Sequence, residues 1–184
     1  MLTRLAQQAR LGEQDVIGLL RAYGRDVAGA LQIWDPDIPG EPRQPSNSLE
    51  RLFKLMVLSA AAGNLDMHAK NLSLLHPTDG SMTLSPAYDV VPQAHLPNDG
   101  EVGLAIGGEY RHAAITMAHL MAEGHAWGLS GAADLAEETL VLVRQLAGTE
   151  TPHPRAYARL AKEITGFADN LLAGRAIGAG GRQP

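Results

Sequence analysis

Residues 63–71 read Gly63-Asn64-Leu65-Asp66-Met67-His68-Ala69-Lys70-Asn71, a polar run between two apolar segments. The segment before it, Asn47 to Ala62, has apolar residues around most of a helical circumference. We therefore predict a helix that is buried on more than one side. Asn47 can cap its start, with Glu50 in the capping-box position, and Gly63 favours its end. The sequence thus predicts a buried helix that leads directly into a polar loop.

The chain after this loop predicts one hairpin and then helices. Leu72–Leu75 and Met82–Leu84 flank the turn residues Pro77-Thr78-Asp79-Gly80, which is typical of a β-hairpin. From Tyr110 onward we predict helices, with a turn before them at Gly107-Gly108. The predicted helices are Ile115–Glu123, Ala132–Ala147 and Pro154–Leu172. The glycine-rich residues 174–184 predict a disordered tail.

The chain before this loop has a different composition. Two short helices and a strand at Ala30–Trp34 predict a short α/β fragment over residues 1–34. Proline then recurs at every third position from Pro36 to Pro45, the period of polyproline II, so we predict a linker over residues 35–46. The main domain is expected over residues 47–173.

Composition excludes several classes of protein. The 184 residues include no cysteine, which excludes disulfide frameworks, thiol nucleophiles and thiolate metal sites. The formal net charge of −5 argues against direct nucleic-acid binding. No apolar run approaches the ~20 residues of a membrane helix, so we expect a soluble, cytoplasmic protein that does not bind membranes.

Three residues have the spacing that phosphoryl transfer requires. A carboxylate must accept the proton of the attacking hydroxyl, while an amide oxygen and a second carboxylate hold Mg²⁺ on the phosphates. In protein kinases the first two are spaced Asp-x-x-x-x-Asn, and the second carboxylate follows later in the chain. Asp66 and Asn71 have this spacing, and Asp89 follows the predicted hairpin.

These motifs resemble the HipA-like serine/threonine kinases of bacterial toxin–antitoxin modules. The resemblance rests on residues 63–74, on Ser85-Pro86-Ala87-Tyr88-Asp89-Val90 and on Leu104-Ala105-Ile106-Gly107-Gly108, with a weaker match at residues 15–32. It implies a mainly α fold, a helical domain like a protein-kinase C-lobe with a small β-hairpin. It also implies a kinase that transfers the γ-phosphoryl group of ATP to a protein hydroxyl.

The resemblance also implies a role for each site residue. Asp66 would be the catalytic base, and Asn71 and Asp89 would bind Mg²⁺. His68 and Lys70 would lie in the loop that contacts ATP, so the cofactor-binding set is His68, Lys70, Asn71 and Asp89. The implied partners are a protein substrate and either a helix-turn-helix antitoxin or a chain that supplies a complementary lobe.

Two alternatives follow from the residues themselves. No Gly-x-Gly-x-x-Gly precedes Asp66 and the only lysine before it is Lys54, although kinases place a glycine-rich loop and a lysine over the phosphates. The chain is therefore either a truncated kinase or an inactive remnant or interaction module that retains the C-lobe scaffold. The neighbouring pair of Asp66 and His68 also permits a metallohydrolase, although the other histidines show no ligand spacing.

Overall fold

The computed structural model describes residues 47–68, 71–75, 83–85 and 87–180. The predicted fragment over 1–34, the linker over 35–46, Lys70 and the hairpin turn at 77–80 lie outside these residues. The described chain divides into two compact units. The smaller unit includes residues up to Leu52 and His68–Tyr88, and the larger unit comprises Phe53–Met67 and the chain from Asp89 onward.

The fold is mainly helical, as predicted, with two small antiparallel sheets among the described residues. In chain order the elements are α1 (Asn47–Ala62), β1 (Leu74–Leu75), β2 (Thr83–Leu84), β3 (Glu101–Ile106), β4 (Glu109–Arg111), a 3-10 helix (His112–Ala114), α2 (Met117–Ala126), α3 (Ala132–Thr149) and α4 (Leu160–Leu172). The prediction for α1 is confirmed at both ends. The later helices end within a few residues of their predicted bounds, but α2 and α4 begin later than predicted.

The core of the larger unit is built on the buried side of α1. Phe53, Val57 and Ala60 are completely inaccessible to solvent, and the Phe53 ring meets Trp127 edge-on at 6.1 Å between centroids. Their spacings of three and four residues place these side chains on one helical face. Burial of that face holds α1 in the domain and fixes the position of the loop that follows it.

The predicted hairpin after the polar loop is confirmed as β1 and β2, in the smaller unit. Leu74 pairs with Leu84 and Leu75 with Thr83 in antiparallel register. A backbone hydrogen bond from the Ser85 N–H to the Ser73 carbonyl, 2.9 Å long, extends this pairing by one step. The two strands are short, and their pairing returns the chain to a point beside Ser73.

A second hairpin, β3 and β4, was not predicted and corrects the prediction of helix from Tyr110. Tyr110 lies in β4, where Glu101 pairs with Arg111 and Ile106 with Glu109. Gly107 and Gly108 form the connecting turn, as predicted, and both have positive φ angles of 58° and 87°. Two successive positive φ angles are typical of the tight turns that match strand twist, and Gly-Gly permits them. The Gly-Gly pair was thus the available sequence signal for this hairpin.

The region after α4 is ordered as far as residue 180, contrary to the predicted tail. Ile177 is only 1% exposed, and its N–H donates to the Ile115 carbonyl at 2.9 Å. The side-chain amide of Asn170 donates to the carbonyls of Ile177 and Ala179. High glycine content therefore accompanies a hydrogen-bonded segment here. Residues 181–184 lie outside the described chain.

We expect Ile177→Ala to lower the free energy of unfolding by about 2–4 kcal/mol, because it leaves a cavity in a fully buried site. Urea denaturation followed by circular dichroism measures this. Leu142→Ala is the control, since Leu142 is 53% exposed and its loss should change stability by no more than about 0.5 kcal/mol. Equal effects of the two substitutions would contradict the packed position of Ile177.

None of the helices in the described ranges combines the length and the apolar character needed to cross a membrane.

Candidate functional site

The loop that carries Asp66 begins with a well-defined helix end. Gly63 has φ 70°, its N–H donates to the Ala60 carbonyl at 3.2 Å, and the Asn64 N–H donates to the Ser59 carbonyl at 2.9 Å. This pair of hydrogen bonds is the Schellman motif, in which a glycine takes the left-handed position just after the helix. A Cβ at Gly63 would lie 2.9 Å from the Ala94 Cβ, so the position excludes larger residues.

Two further contacts hold the backbone on either side of Asn64. The Gly63 carbonyl accepts the N–H groups of Gln93 and Ala94 at 2.7 and 3.0 Å, and the Leu65 carbonyl accepts the N–H of Gly103 in β3 at 2.7 Å. The side chain of Asp66 is exposed beyond these anchors. The larger unit therefore presents an exposed carboxylate on a firmly held backbone.

Asp89 has an unusual backbone conformation. Its φ is 56°, and it is the one non-glycine residue of the described chain with a positive φ. Aspartate tolerates the left-handed region better than most residues, but such positions still cost free energy and concentrate at functional sites. The Asp89 side chain is exposed. The conformation makes Asp89 a distinctive position, independently of any motif.

The smaller unit contains the other two described candidates, His68 and Asn71. The Asn71 N–H donates to the His68 carbonyl at 2.9 Å. Both side chains are half-buried. In the same unit the hydroxyls of Ser73 and Tyr88 are hydrogen-bonded at 2.7 Å. This bond connects the chain just after Asn71 with the residue just before Asp89.

The structure therefore distributes the predicted site residues between the two units. Asp66 and Asp89 belong to the larger unit, and His68 and Asn71 to the smaller. Lys70 lies outside the described residues. The catalytic and binding roles of all five remain predictions.

Sequence reasoning missed two contributions to this region. The sequence pattern indicates only that Asn64 belongs to the helix end, yet Asn64 is 3% exposed and its Oδ1 accepts the Asp66 N–H at 3.2 Å. The Ser73–Tyr88 bond was also missed. Helix ends of this type frequently carry an apolar residue at the position of Asn64. The polar side chain there was therefore the available sequence signal. The contact of Ser73 with Tyr88 depends on hairpin register, which the sequence of the turn did not specify.

His112 contacts the C-terminal end of α1. It is 4% exposed, its Nε2 lies 2.8 Å from the Ala60 carbonyl, and its ring meets Phe167 edge-on at 5.2 Å. A neutral ring with the proton on Nε2 can donate this hydrogen bond. Burial lowers the pKa of His112 below 6.5, and the hydrogen bond to Ala60 opposes that shift only in part. His112 is therefore neutral in the folded protein at pH 7.

We expect the free energy of unfolding to fall as pH drops below about 6.5, because the unfolded state then binds a proton that folded His112 takes up only at lower pH. The slope from this residue is at most about 1.4 kcal/mol per pH unit. Denaturation at pH 5 to 8 measures it. His112→Gln should flatten the slope relative to the wild type. An identical slope in His112→Gln would contradict the prediction.

The donor chemistry of the candidate residues suits magnesium better than a transition metal. Carboxylate and amide oxygens are the protein ligands that Mg²⁺ takes, usually few in number because the phosphates and water supply the rest. Within the described ranges no three His, Cys, Asp or Glu residues form a group that could hold a metal ion. A dinuclear metallohydrolase needs such a group. The described residues thus give that alternative no support, while Asn71 and Asp89 have suitable ligand atoms for Mg²⁺.

Comparison with known families gives one result. The sequence matches the family model described as HipA-like C-terminal domain over residues 7–150. The matched region includes all five candidate residues and extends across most of the chain. No curated protein matches the sequence significantly.

Proposed function

Because the chain belongs to the family of HipA-like C-terminal domains, which are kinase-like, we propose that it is a serine/threonine protein kinase core. It would transfer the γ-phosphoryl group of ATP to a hydroxyl of a protein substrate. The single observation that carries the proposal is the family match over the loop with the Asp66–Asn71–Asp89 spacing. The exposed, backbone-anchored Asp66 is consistent with it.

Asp66 is the proposed catalytic base. Its exposed carboxylate can accept the proton of an incoming serine or threonine hydroxyl as the oxygen attacks phosphorus. Because the backbone beside Asp66 is tied at Gly63 and Leu65, the carboxylate starts from a restricted position. Such restriction lowers the entropic cost of aligning the hydroxyl with the phosphate.

Asn71 and Asp89 are the residues that would hold Mg²⁺, and His68 and Lys70 would contact ATP. The metal, when bound, neutralises the charge that develops on the phosphate oxygens. The left-handed backbone of Asp89 directs its carboxylate differently from an extended residue, and the Ser73–Tyr88 bond braces the hairpin that leads to it. In this proposal these four residues bind and orient ATP and Mg²⁺, and Asp66 accepts the proton of the substrate hydroxyl.

Isothermal titration of the full chain with ATP and Mg²⁺, followed by a phosphate-incorporation assay, tests the proposal. We expect saturable binding that depends on Mg²⁺ and incorporation of labelled phosphate into the protein itself or an added substrate. Absence of both would rule out the kinase for this chain. Titration with ATP and EDTA is the control, since binding that persists without the metal would argue against Asn71 and Asp89 as ligands.

One observation favours the second candidate, a non-catalytic scaffold. Lys54, the only lysine before Asp66, forms an ion pair with Glu138 of α3 at 3.7 Å, and both side chains are largely exposed. An exposed pair of this kind contributes about 0–1 kcal/mol. Lys54 lies on a helix, whereas protein kinases place the phosphate-binding lysine on a strand. Detection of ATPase or kinase activity in the isolated chain would exclude this candidate.

The HipA family works with a HipB antitoxin in toxin–antitoxin modules. We propose that this chain has either a helix-turn-helix antitoxin or a chain supplying a complementary ATP-binding lobe as its partner. Co-purification with the product of the adjacent gene distinguishes them. A complementary lobe should raise the affinity for ATP, and an antitoxin should suppress phosphorylation.

A further inference from the structure

We propose that Asn64 is a positioning residue for Asp66, and that it acts through the hydrogen bond between its side chain and the Asp66 N–H. The inference rests on the proposed function of Asp66 as a base. The buried side-chain amide of Asn64 would then serve to position Asp66. A purely structural assignment would make Asn64 an ordinary part of the helix end.

The end of α1 has a polar contact that a helix end of this type does not require. In a Schellman motif the second residue after the helix usually makes an apolar contact with a residue in the last turn. Here those two positions are Asn64 and Ser59, which are 3% and 2% exposed. The Asn64 Nδ2 faces the Ser59 Oγ at 3.5 Å. A polar pair thus replaces the apolar contact that would be enough to end the helix.

The buried polar pair of Asn64 and Ser59 has a free-energy cost. Burying amide and hydroxyl groups costs free energy unless hydrogen bonds compensate, and a contact at 3.5 Å is at the long limit of a hydrogen bond. Helix ending alone does not account for the choice, because two apolar side chains would serve it without this cost. The Asn64 side chain makes a second contact through its amide oxygen, Oδ1. This oxygen accepts the Asp66 N–H at 3.2 Å.

The Asn64 side chain also restrains the backbone of Asp66. The Asp66 N–H donates to Asn64 Oδ1, and this bond holds the peptide group between Leu65 and Asp66; the carbonyl of that group accepts the Gly103 N–H. The carboxylate of Asp66 is exposed, and the position of its backbone sets the position from which the side chain extends. A displacement of about 1 Å at a reacting group can cost about 100-fold in rate. We therefore expect loss of the Asn64 acceptor to lower kcat and to leave ATP binding intact.

Two substitutions of nearly equal size test the inference in the full chain. Asn64→Ser keeps a hydroxyl that can accept from the N–H two residues on, whereas Asn64→Ala does not. In the phosphate-incorporation assay we expect Asn64→Ala to lower kcat about 100-fold with KM for ATP within twofold, and Asn64→Ser to retain most of kcat. Equal kcat values in the two variants would overturn the inference.

A double substitution separates positioning from stability. Asn64→Leu combined with Ser59→Ala restores the apolar contact of an ordinary Schellman motif and removes the acceptor for Asp66. We expect a melting temperature no lower than that of the wild type, together with the same 100-fold loss in kcat. Retention of full kcat in this variant would overturn the inference.

Amide hydrogen exchange by NMR distinguishes failure of this inference from failure of the proposed function. The Asp66 N–H should exchange faster in Asn64→Ala than in Asn64→Ser and the wild type, whether or not the chain is active. An inactive wild type with this exchange pattern would refute the kinase proposal and retain Asn64 as the residue that holds the Asp66 backbone. Unchanged Asp66 exchange in Asn64→Ala would overturn the role of Asn64 in either case.

Discussion

Replacement of Asp66 by asparagine is expected to reduce phosphoryl transfer about 10²–10⁴-fold, the range that a positioned general base contributes. Asparagine has nearly the same shape as aspartate but cannot accept the hydroxyl proton. Because Asp66 is exposed, the substitution should leave the free energy of unfolding almost unchanged. The measurement is kcat from phosphate incorporation, with Mg-ATP affinity measured calorimetrically on the same samples.

A matched control is available in α3. Asp134 is also exposed and lies in the first turn of that helix, far along the chain from the polar loop, so Asp134→Asn should retain wild-type kcat. A separate variant, Asp89→Asn, should weaken Mg²⁺-dependent ATP binding as well as kcat. If Asp66→Asn retained activity, the assignment of the base would be wrong even if the chain proved to be a kinase.

Gly107→Ala is expected to cost about 3 kcal/mol or more in the free energy of unfolding, because a steric clash adds to backbone strain. A Cβ at Gly107 would lie 2.6 Å from the carbonyl oxygen of His119 and 2.8 Å from its Cα. These are backbone atoms of α2, which cannot move aside as a flexible side chain does. The positive φ adds about 1–2 kcal/mol for any residue with a side chain. Urea denaturation measures the total.

The adjacent glycine separates these two causes. Gly108 has φ 87° in the same turn, but a Cβ there would meet nothing within 4 Å. Gly108→Ala should therefore cost only the backbone term of about 1–2 kcal/mol. The difference between the two variants isolates the contact between the β3–β4 turn and α2. Equal losses would indicate that the turn does not approach His119 as described.

Glu123 explains why the close approach at Gly107 is stable. The carboxylate is 4% exposed and accepts the Gly107 N–H at 2.9 Å through Oε2 and the Trp127 Nε1–H at 2.9 Å through Oε1. A buried carboxylate with such donors is compensated, and it holds the turn against α2. The sequence motif around Gly107 therefore has a structural explanation that does not involve a ligand.

The features that were predictable from the sequence depend on local physics. The apolar pattern of α1, its end at Gly63 and the β1–β2 hairpin each follow from spacing or turn chemistry within a few residues. The Asp66–Asn71–Asp89 spacing was likewise visible, although its chemical role stays a prediction. The helical domain follows from the same patterns and from the family resemblance.

The features that were not predictable depend on contacts between distant positions. The β3–β4 hairpin was overlooked because its strands contain Gly103 and lead into a segment with helical character. The composition around Ile177 predicts a tail, because several glycines accompany a single large apolar residue there. Its order derives from Ile115 and Asn170, which a local pattern does not reveal. Tertiary packing decided both cases.

The end of the family match and the end of the folded core are different positions in this chain. The packing of α4 and of the segment around Ile177 shows the difference. Similarity to the family ends at residue 150, but α4 packs on α3, with Arg144 and Asp169 3.5 Å apart, and Ile177 joins the core beyond it. The packed larger unit therefore continues to residue 180, about 30 residues beyond residue 150, where the family match ends. A protein truncated at residue 150 would expose the apolar side of α3 to solvent. We expect such a protein to aggregate, whether or not Asp66 is catalytically active.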